Sequence, residues 1–309
     1  MVVLDEEQRE VVEASQSQVV SCGPGSGKTR VLTERARRIF NRGESLICLC
    51  FTRSAAAEMA SRVPGIPACT IHSYCCGRVG WNEKWGYTGL LYRYLMDRDG
   101  AQFQNVLIDE CQDLNELEMD VALTLVGDKI FAVGDPYQSI YGFQGALGPR
   151  VMDLLERLGC NKVELHSNYR SCQGVVSRLN KVFNRHLVSR NVKDTGLTFI
   201  LCRTNDDVFY VSKNLKDAGI PHRVRLSKEY ADSREYDVLG ESNLRVNTIH
   251  QSKGQEADRV ILFDWYPNET GEEERTYYVA MARASKEFIE VNSINQLLEV
   301  LNGKGVILG

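Results

Sequence analysis

The string CGPGSGKT at 22–29 constrains this chain more than any other stretch. It follows a short apolar run at 18–21 and opens a segment with helical patterning at 28–41. Glycine tolerates backbone angles that other residues avoid, so Gly23, Gly25 and Gly27 let N–H groups turn inward around an anion. The helix start that follows adds partial positive charge at the same point. Strand, glycine loop and helix in this order form a phosphate-binding loop, and they commit the chain to an α/β fold with parallel strands. Lys28 is placed to reach the β- and γ-phosphates of a nucleotide, and the Thr29 hydroxyl to hold Mg2+. Cys22 stands where such loops usually carry Gly or Ala, a small departure. A plain glycine-rich turn before an amphipathic helix is the alternative, and the complete GSGKT string argues against it.

Apolar runs at 18–21, 46–51, 106–108 and 129–133 read as buried strands, with helices at 28–41, 54–63 and 115–125 between them. A second series places strands at 162–165, 198–202, 245–248 and 259–263, and helices at 171–183, 206–218 and 272–284. A helix at 150–158 closes the first series, so the expected domains are 1–159 and 160–309. Two stretches break the pattern. Residues 77–104 are aromatic and irregular, and 227–243 are polar, a loop or small appendage. A chain of 309 residues, 43% hydrophobic and 25% charged, has enough material for two such cores.

The formal net charge of −4 gives no basic bulk, so nucleic-acid binding would need a local groove. No run of about 18 apolar residues suggests a membrane span, and the first residues lack a signal-peptide pattern. An intracellular site is expected, cytoplasmic or in a DNA-containing compartment. The ten cysteines form no C-x-x-C pair and read as reduced, mostly buried thiols. Cys69, His72, Cys75 and Cys76 lie close in sequence, but no second ligand pair is apparent; packing is preferred there over zinc.

VLIDECQD at 106–113 delivers two carboxylates to a strand end. Asp109 is suited to Mg2+, and Glu110 to orienting and deprotonating an attacking water. An acidic pair after a strand is often a solvated turn; beside a phosphate loop it gains meaning. Together the two motifs imply nucleotide hydrolysis without its purpose.

Further strings narrow the purpose. LDEEQREVV (4–12), FTRSAAAEM (51–59), TIHSYC (70–75), AVGDPYQSIYGFQGA (132–146), LHSNYRS (165–171), VNTIHQSKGQEAD (246–258) and EERTYYVAMARA (273–284) follow one another in the order of the UvrD/Rep-type superfamily-1 helicases. The resemblance covers nearly the whole chain, in a compact form with reduced accessory insertions. It implies two RecA-like P-loop domains facing each other across ATP. It also implies single-stranded and partial duplex DNA as partners, no membrane, and a loading or processivity protein as a possible further partner.

Residue by residue, the resemblance implies that Gln8 reads adenine, and that Gly23, Gly25, Ser26, Gly27, Lys28, Thr29 and Arg30 hold the phosphates. Gln138 would sense the γ-phosphate, Tyr169 stack on adenine, Arg170 reach the γ-phosphate, Glu256 contact ribose and Arg283 serve as arginine finger. Phe51, Thr52, His72, Phe143 and His250 would contact the strand, Phe143 by stacking on a base. Gln144 and Ala282 depart from the Arg and Thr common in the family.

The expected activity is an ATP-driven 3′-to-5′ translocase or helicase on single-stranded DNA. With little surface left for a duplex, such a motor should unwind weakly alone. Alternatives are a translocase that remodels protein–DNA complexes, an RNA helicase, or a nucleotide-switched binding module. Trp81, Trp85, Tyr87, Tyr92 and Tyr94 within 77–104 form either a small core for a helical hairpin or a DNA-facing platform.

Overall fold

A computed structural model describes residues 4–97, 100–190, 195–225, 236–266 and 271–303. The chain divides into two compact units, Met1–His166 and Ser167–Gly309.

The first unit carries helix α1 (Glu6–Glu13), strand β1 (Gln18–Cys22), α2 (Lys28–Asn41), β2 (Leu46–Leu49), α3 (Arg53–Arg62), β3 (Ala68–Cys69) and α4 (Ile71–Val79). There follow α5 (Gly86–Asp97), β4 (Phe103–Ile108), α6 (Glu116–Thr124), β5 (Val126–Gly134), α7 (Arg150–Arg157) and β6 (Asn161–Leu165). The six strands form one parallel sheet in the order β3-β2-β4-β5-β1-β6. Successive side chains on a strand point to opposite faces. Val19, Ile47, Leu49, Val106, Ile108 and Ala132 therefore enter one core, packed under α4–α7. Val20, Cys48, Leu107, Phe131 and Val133 enter the other, packed under α1–α3. Burial on both faces explains why these strands read as continuous apolar runs.

The second unit contains β7 (Ser167–Asn168), α8 (Gln173–Phe183), β8 (Val188–Ser189), β9 (Thr198–Cys202), α9 (Asn205–Asp217), β10 (His222–Val224), β11 (Tyr236–Val238) and β12 (Leu244–Thr248). It continues with α10 (Ile249–Ser252), β13 (Ala257–Phe263), α11 (Gly271–Met281), β14 (Ala284–Val291) and α12 (Ile294–Leu301). Its main sheet has the order β11-β10-β12-β9-β13-β14, parallel except for the β10–β11 pair. One core lies under α9 and α12, around Ile200, Val211, Val246, Ile261 and Leu297.

Three features differ from the sequence-based expectation. The strand at 162–165 belongs to the first unit: β6 pairs in parallel with β1 from Gln18↔Asn161 to Cys22↔Leu165, which moves the boundary from 159/160 to 166/167. The helix expected at 272–284 stops at Met281, and Ala284 opens strand β14. Residues 77–104 are largely helical. Gly80, at φ +76°, ends α4, and α5 turns Leu90, Leu91 and Tyr94 into the core. Residues 227–235 of the expected polar loop lie outside the described residues, and strand β11 follows them. Among the described residues, no helix is long and apolar enough to cross a membrane.

Candidate functional site

In an open parallel sheet, ligands bind beyond the carboxyl ends of the strands. The candidate residues of the first unit emerge there from neighbouring strands: the glycine loop from β1, Asp109 and Glu110 from β4, and Asp135 with Gln138 from β5. Gly25 (φ +66°) and Gly27 (φ +82°) take left-handed backbone angles within the loop. A Cβ at Gly27 would lie 2.8 Å from Gln8 Nε2, so this position requires glycine on both counts. Gly27 also serves as N-cap of α2, leaving the first N–H groups of that helix at the loop. Ser26 is fully buried, and its hydroxyl has no hydrogen-bond partner among the described residues. A left-handed glycine cradle with a buried hydroxyl beside a helix start fits a phosphate. Thr29, in the first turn of α2, and Asp109, after β4, carry oxygen donors of the kind Mg2+ takes.

Gln8 is held from two sides. Its backbone N–H donates to Asp5 Oδ1 at 2.7 Å, and its side-chain Nε2 donates to the Ser26 carbonyl at 2.8 Å. It therefore anchors α1 to the phosphate loop as well as standing where an adenine reader is expected; one further N–H and one lone pair remain for that task. Beneath the loop, burial pushes the Cys22 thiol up to about 12, so it acts as a small uncharged side chain. Arg30, one turn into α2, is exposed.

Lys28 Nζ lies 3.6 Å from Glu110 Oε2. Burial alone would lower the lysine pKa, but Glu110, Asp135 and Asp109 outweigh it and the pKa is raised, so Lys28 stays charged. Asp109 is pushed up to about 7 by burial and then by Glu110, against the pull of Lys28. Its Oδ1 accepts the Glu110 N–H at 3.0 Å, and Glu110 itself sits in the left-handed region (φ +50°). Such a conformation in a non-glycine residue costs on the order of 1–3 kcal/mol, and here the surrounding bonds hold it.

Those bonds run through a residue that sequence reasoning passed over. Gln112 is fully buried. Its Nε2 donates to Glu110 Oε2 at 2.8 Å and to Asp113 Oδ2 at 3.1 Å, while its Oε1 accepts the Asp135 N–H at 3.0 Å. Asp135 Oδ2 in turn accepts Gln138 Nε2 at 2.7 Å. A continuous network thus joins the acid after β4 to the glutamine after β5. The approach is close: a Cβ at Gly134 would lie 2.4 Å from Gln112 Oε1.

Four residues expected to meet a strand, Phe51, Thr52, His72 and Phe143, belong to the same unit. The Phe51 and Tyr141 rings are 5.2 Å apart, and those of Tyr141 and Phe143 are 6.1 Å apart. Phe143 is 68% exposed, so its ring is available for stacking rather than part of a core. Tyr141 was also missed in the sequence, although an aromatic two residues before Phe143 was its signal. Burial, then Asp113 and Glu110, push its hydroxyl up to about 12. The exposed Thr52 caps α3 by accepting the Ala55 N–H at 3.1 Å. His72 faces Glu118, with Nδ1 3.4 Å from Oε1, while its neighbour Cys75 is buried in the core.

In the second unit, Arg170 Nε donates to Glu256 Oε2 at 2.8 Å and its NH1 to the Ala282 carbonyl at 3.1 Å. Glu256, expected at a ribose, is thus the ion-pair partner of Arg170. Arg283 is 1% exposed; it donates to the Val279 carbonyl at the end of α11 and, through NH1, to the Gln255 carbonyl, both at 3.1 Å. A cation at a helix C-terminus is favourably placed. Tyr169 is half-buried and adjoins Arg170 in the chain. Glu256 and Arg283 therefore sit at the amino ends of β13 and β14. His250, on α10, follows the carboxyl end of β12 and lies at the opposite end of the same sheet.

The family model described as an AAA domain matches residues 8–144, and that described as a UvrD-like helicase C-terminal domain matches residues 243–289. Over 96 residues, 30% of this chain, the sequence is 35% identical to DNA helicase II of Salmonella typhimurium. Over 169 residues, 51% of this chain, it is 27% identical to the ATP-dependent DNA helicase PcrA of Leuconostoc citreum. The matched segments span only 13% and 22% of the lengths of these two relatives. The crystal structure of the Pif1 helicase from Candida albicans shares the fold, with a TM-score of 0.59 at 14% identity over 97% of this chain and 100% of that one. With an AAA-type segment followed by a UvrD-like helicase C-terminal segment, the chain resembles the UvrD/Rep-type superfamily-1 helicases in both of its units.

Proposed function

We propose that the chain is a DNA-dependent ATPase that moves along single-stranded DNA in the 3′-to-5′ direction and unwinds duplex weakly by itself. The observation that carries this reading is the network from Glu110 through Gln112 and Asp135 to Gln138, set beside the glycine loop and the Phe51–Tyr141–Phe143 row. Lys28 offers positive charge to the β- and γ-phosphates, and the loop N–H groups orient them. Mg2+, held through Thr29 and Asp109, would neutralise phosphate charge. Glu110, fixed by Gln112 and by the Asp109–Glu110 turn, is positioned to orient a water and take its proton. Gln138 shares the network with Glu110, so a change at the γ-phosphate reaches the acid.

Arg170 and Arg283 are the cations that the second unit would contribute to transition-state charge. Gln8, Arg30, Tyr169 and Glu256 complete the proposed nucleotide set, and Thr52, His72 and His250 the strand set. DNA helicase II and PcrA are DNA helicases by name, and that likeness supports DNA as the track. The test is ATP hydrolysis with and without single-stranded DNA, alongside RNA of the same length. Stimulation by DNA and not by RNA is expected. Hydrolysis indifferent to both would refute a nucleic-acid motor.

A further inference from the structure

Next to the Phe51 ring the first unit has a groove of about 620 Å³, inside the range of about 300–1,000 Å³ typical of small-molecule pockets. Helix α5 forms one wall with Tyr87 and Tyr92, which are 64% and 59% exposed. The Tyr87 ring meets His72 edge-on, centroids 5.2 Å apart. Phe51 forms another wall and also packs on Tyr141, so the groove continues the row of rings that ends at Phe143.

The charge of the groove is one-sided. Asp113, Glu116 and Glu118 line it, and among the described residues no lysine or arginine does. A phosphate backbone is therefore repelled, whereas a flat group bearing N–H donors is matched. His72 and Glu118 fix each other: Glu118 Oε2 accepts the Asn115 N–H at 2.9 Å, and its Oε1 faces His72 Nδ1. A proton on Nδ1 leaves His72 Nε2 as one more acceptor.

We infer that this groove receives one unstacked nucleobase and favours bases with an exocyclic amine (cytosine, adenine, guanine) over thymine. Cytosine N4, adenine N6 and guanine N2 each donate, and carboxylates accept from such amines; thymine has no exocyclic amine, and its one edge donor, N3–H, stands between two carbonyl oxygens that a carboxylate repels. Aromatic walls bind any base by its face, so the carboxylates supply the difference. A cationic peptide would also suit rings and carboxylates. Continuity with the Phe51–Tyr141–Phe143 row favours a base. The inference rests on the proposed strand-binding function and adds a base preference to it.

The test is anisotropy titration of the full chain with labelled oligo-dC and oligo-dT of equal length at mildly alkaline pH, together with ATP hydrolysis stimulated by each. Oligo-dC should bind about fivefold more tightly than oligo-dT, the order expected of one or two discriminating hydrogen bonds. Glu118→Gln removes the charge but can still accept the Asn115 N–H that caps α6. Tyr92→Ala removes an exposed ring. Glu118→Gln should bring the ratio within about twofold, and Tyr92→Ala should weaken both oligomers together, each at unchanged melting temperature. Equal binding of the two oligomers with DNA-stimulated hydrolysis intact would overturn the groove and spare the motor, as would a preference that survives Glu118→Gln or an affinity that Tyr92→Ala leaves unchanged. Displacement of oligo-dC by a lysine-rich peptide from wild type but not from Glu118→Gln would reassign the groove to protein. If neither oligomer binds or stimulates hydrolysis, the proposed function itself fails.

Discussion

Replacing Gln112 by Leu keeps the side-chain volume close and removes all three of its bonds. Glu110 is partly exposed and can recover one partner from water. Asp113 and the Asp135 N–H are buried, and they cannot. Leaving a buried group unsatisfied costs about 1–3 kcal/mol, so the loss for the pair is about 3 kcal/mol once the gain from burying Leu is set against it. For a unit of this size that lowers the melting temperature by roughly 6–12 °C. Turnover should fall as well, because Glu110 loses the bond that aims it. The KM for ATP should change little, because Lys28 and the loop are untouched. Gln112→Glu is the sharper companion. It keeps the acceptor for Asp135 but turns two donors toward Glu110 and Asp113 into repulsion. Calorimetry and steady-state kinetics of both variants decide the matter. A Gln112→Leu protein with normal melting and normal turnover would show that the network does not position the acid.

Glu110→Gln should abolish turnover while nucleotide still binds, since shape and Lys28 remain; comparing equilibrium ATP binding with hydrolysis checks this, and a normal rate would remove Glu110 from the chemistry. Phe143→Ala should weaken single-strand affinity by about 1–3 kcal/mol in titrations, with a stability change under about 0.5 kcal/mol because the ring is exposed; a large loss of stability would make Phe143 a packing residue. His222 is buried, and that burial lowers its pKa below 6.5, so the folded second unit holds it neutral against the Ser212 hydroxyl, 2.7 Å away. Its contribution to stability is present above pH 6.5 and is lost as pH falls below that value, because the unfolded chain then binds the extra proton. His222→Gln should flatten the fall in melting temperature on acidification below pH 6.5, and an unchanged slope would exclude His222 as its source.

The parts of the fold that were legible in the sequence are those whose signal is local. Helix α2 and strand β9 have the bounds that patterning alone suggests, because a glycine loop fixes the start of one and a fully apolar run marks the other. Strand β6 was misplaced because patterning shows that 162–165 is extended, not which strand it pairs with; only the register with β1 reveals its sheet. The stretch 77–104 looked irregular because its glycines mask the spacing of Leu90, Leu91 and Tyr94, and because Trp81, Trp85, Tyr87 and Tyr92 are exposed. In the site, charged residues at strand ends stood out, whereas Gln112 did not. Its importance comes from bonding three groups that lie apart along the chain, a property no single position displays. Glu256 is a similar case. The resemblance assigns it to a ribose, and its bond to Arg170, far along the chain, is visible only in the structure.

The second unit separates its candidate residues, and the separation bears on how a motor of this kind could couple its two tasks. His250 stands after the carboxyl end of β12, while Glu256 stands before the amino end of β13. Both strands run parallel to β9, between them, so the segment joining them must return across the sheet. That segment is short and internally bonded. Thr248 and Gln251 form a capping box, Gln255 N–H donates to the Ser252 carbonyl at 2.9 Å, and Gln255 Nε2 donates to the Gln251 carbonyl at 3.1 Å. The Gln255 carbonyl then accepts from Arg283, and Glu256 accepts from Arg170. These bonds tie the turn that carries His250 to the residues that hold the two arginines. A loose loop would dissipate a displacement over many backbone angles, each costing little. Hydrogen bonds within the turn reduce that freedom, which suits the coupling of strand and nucleotide that the proposed function requires of this segment.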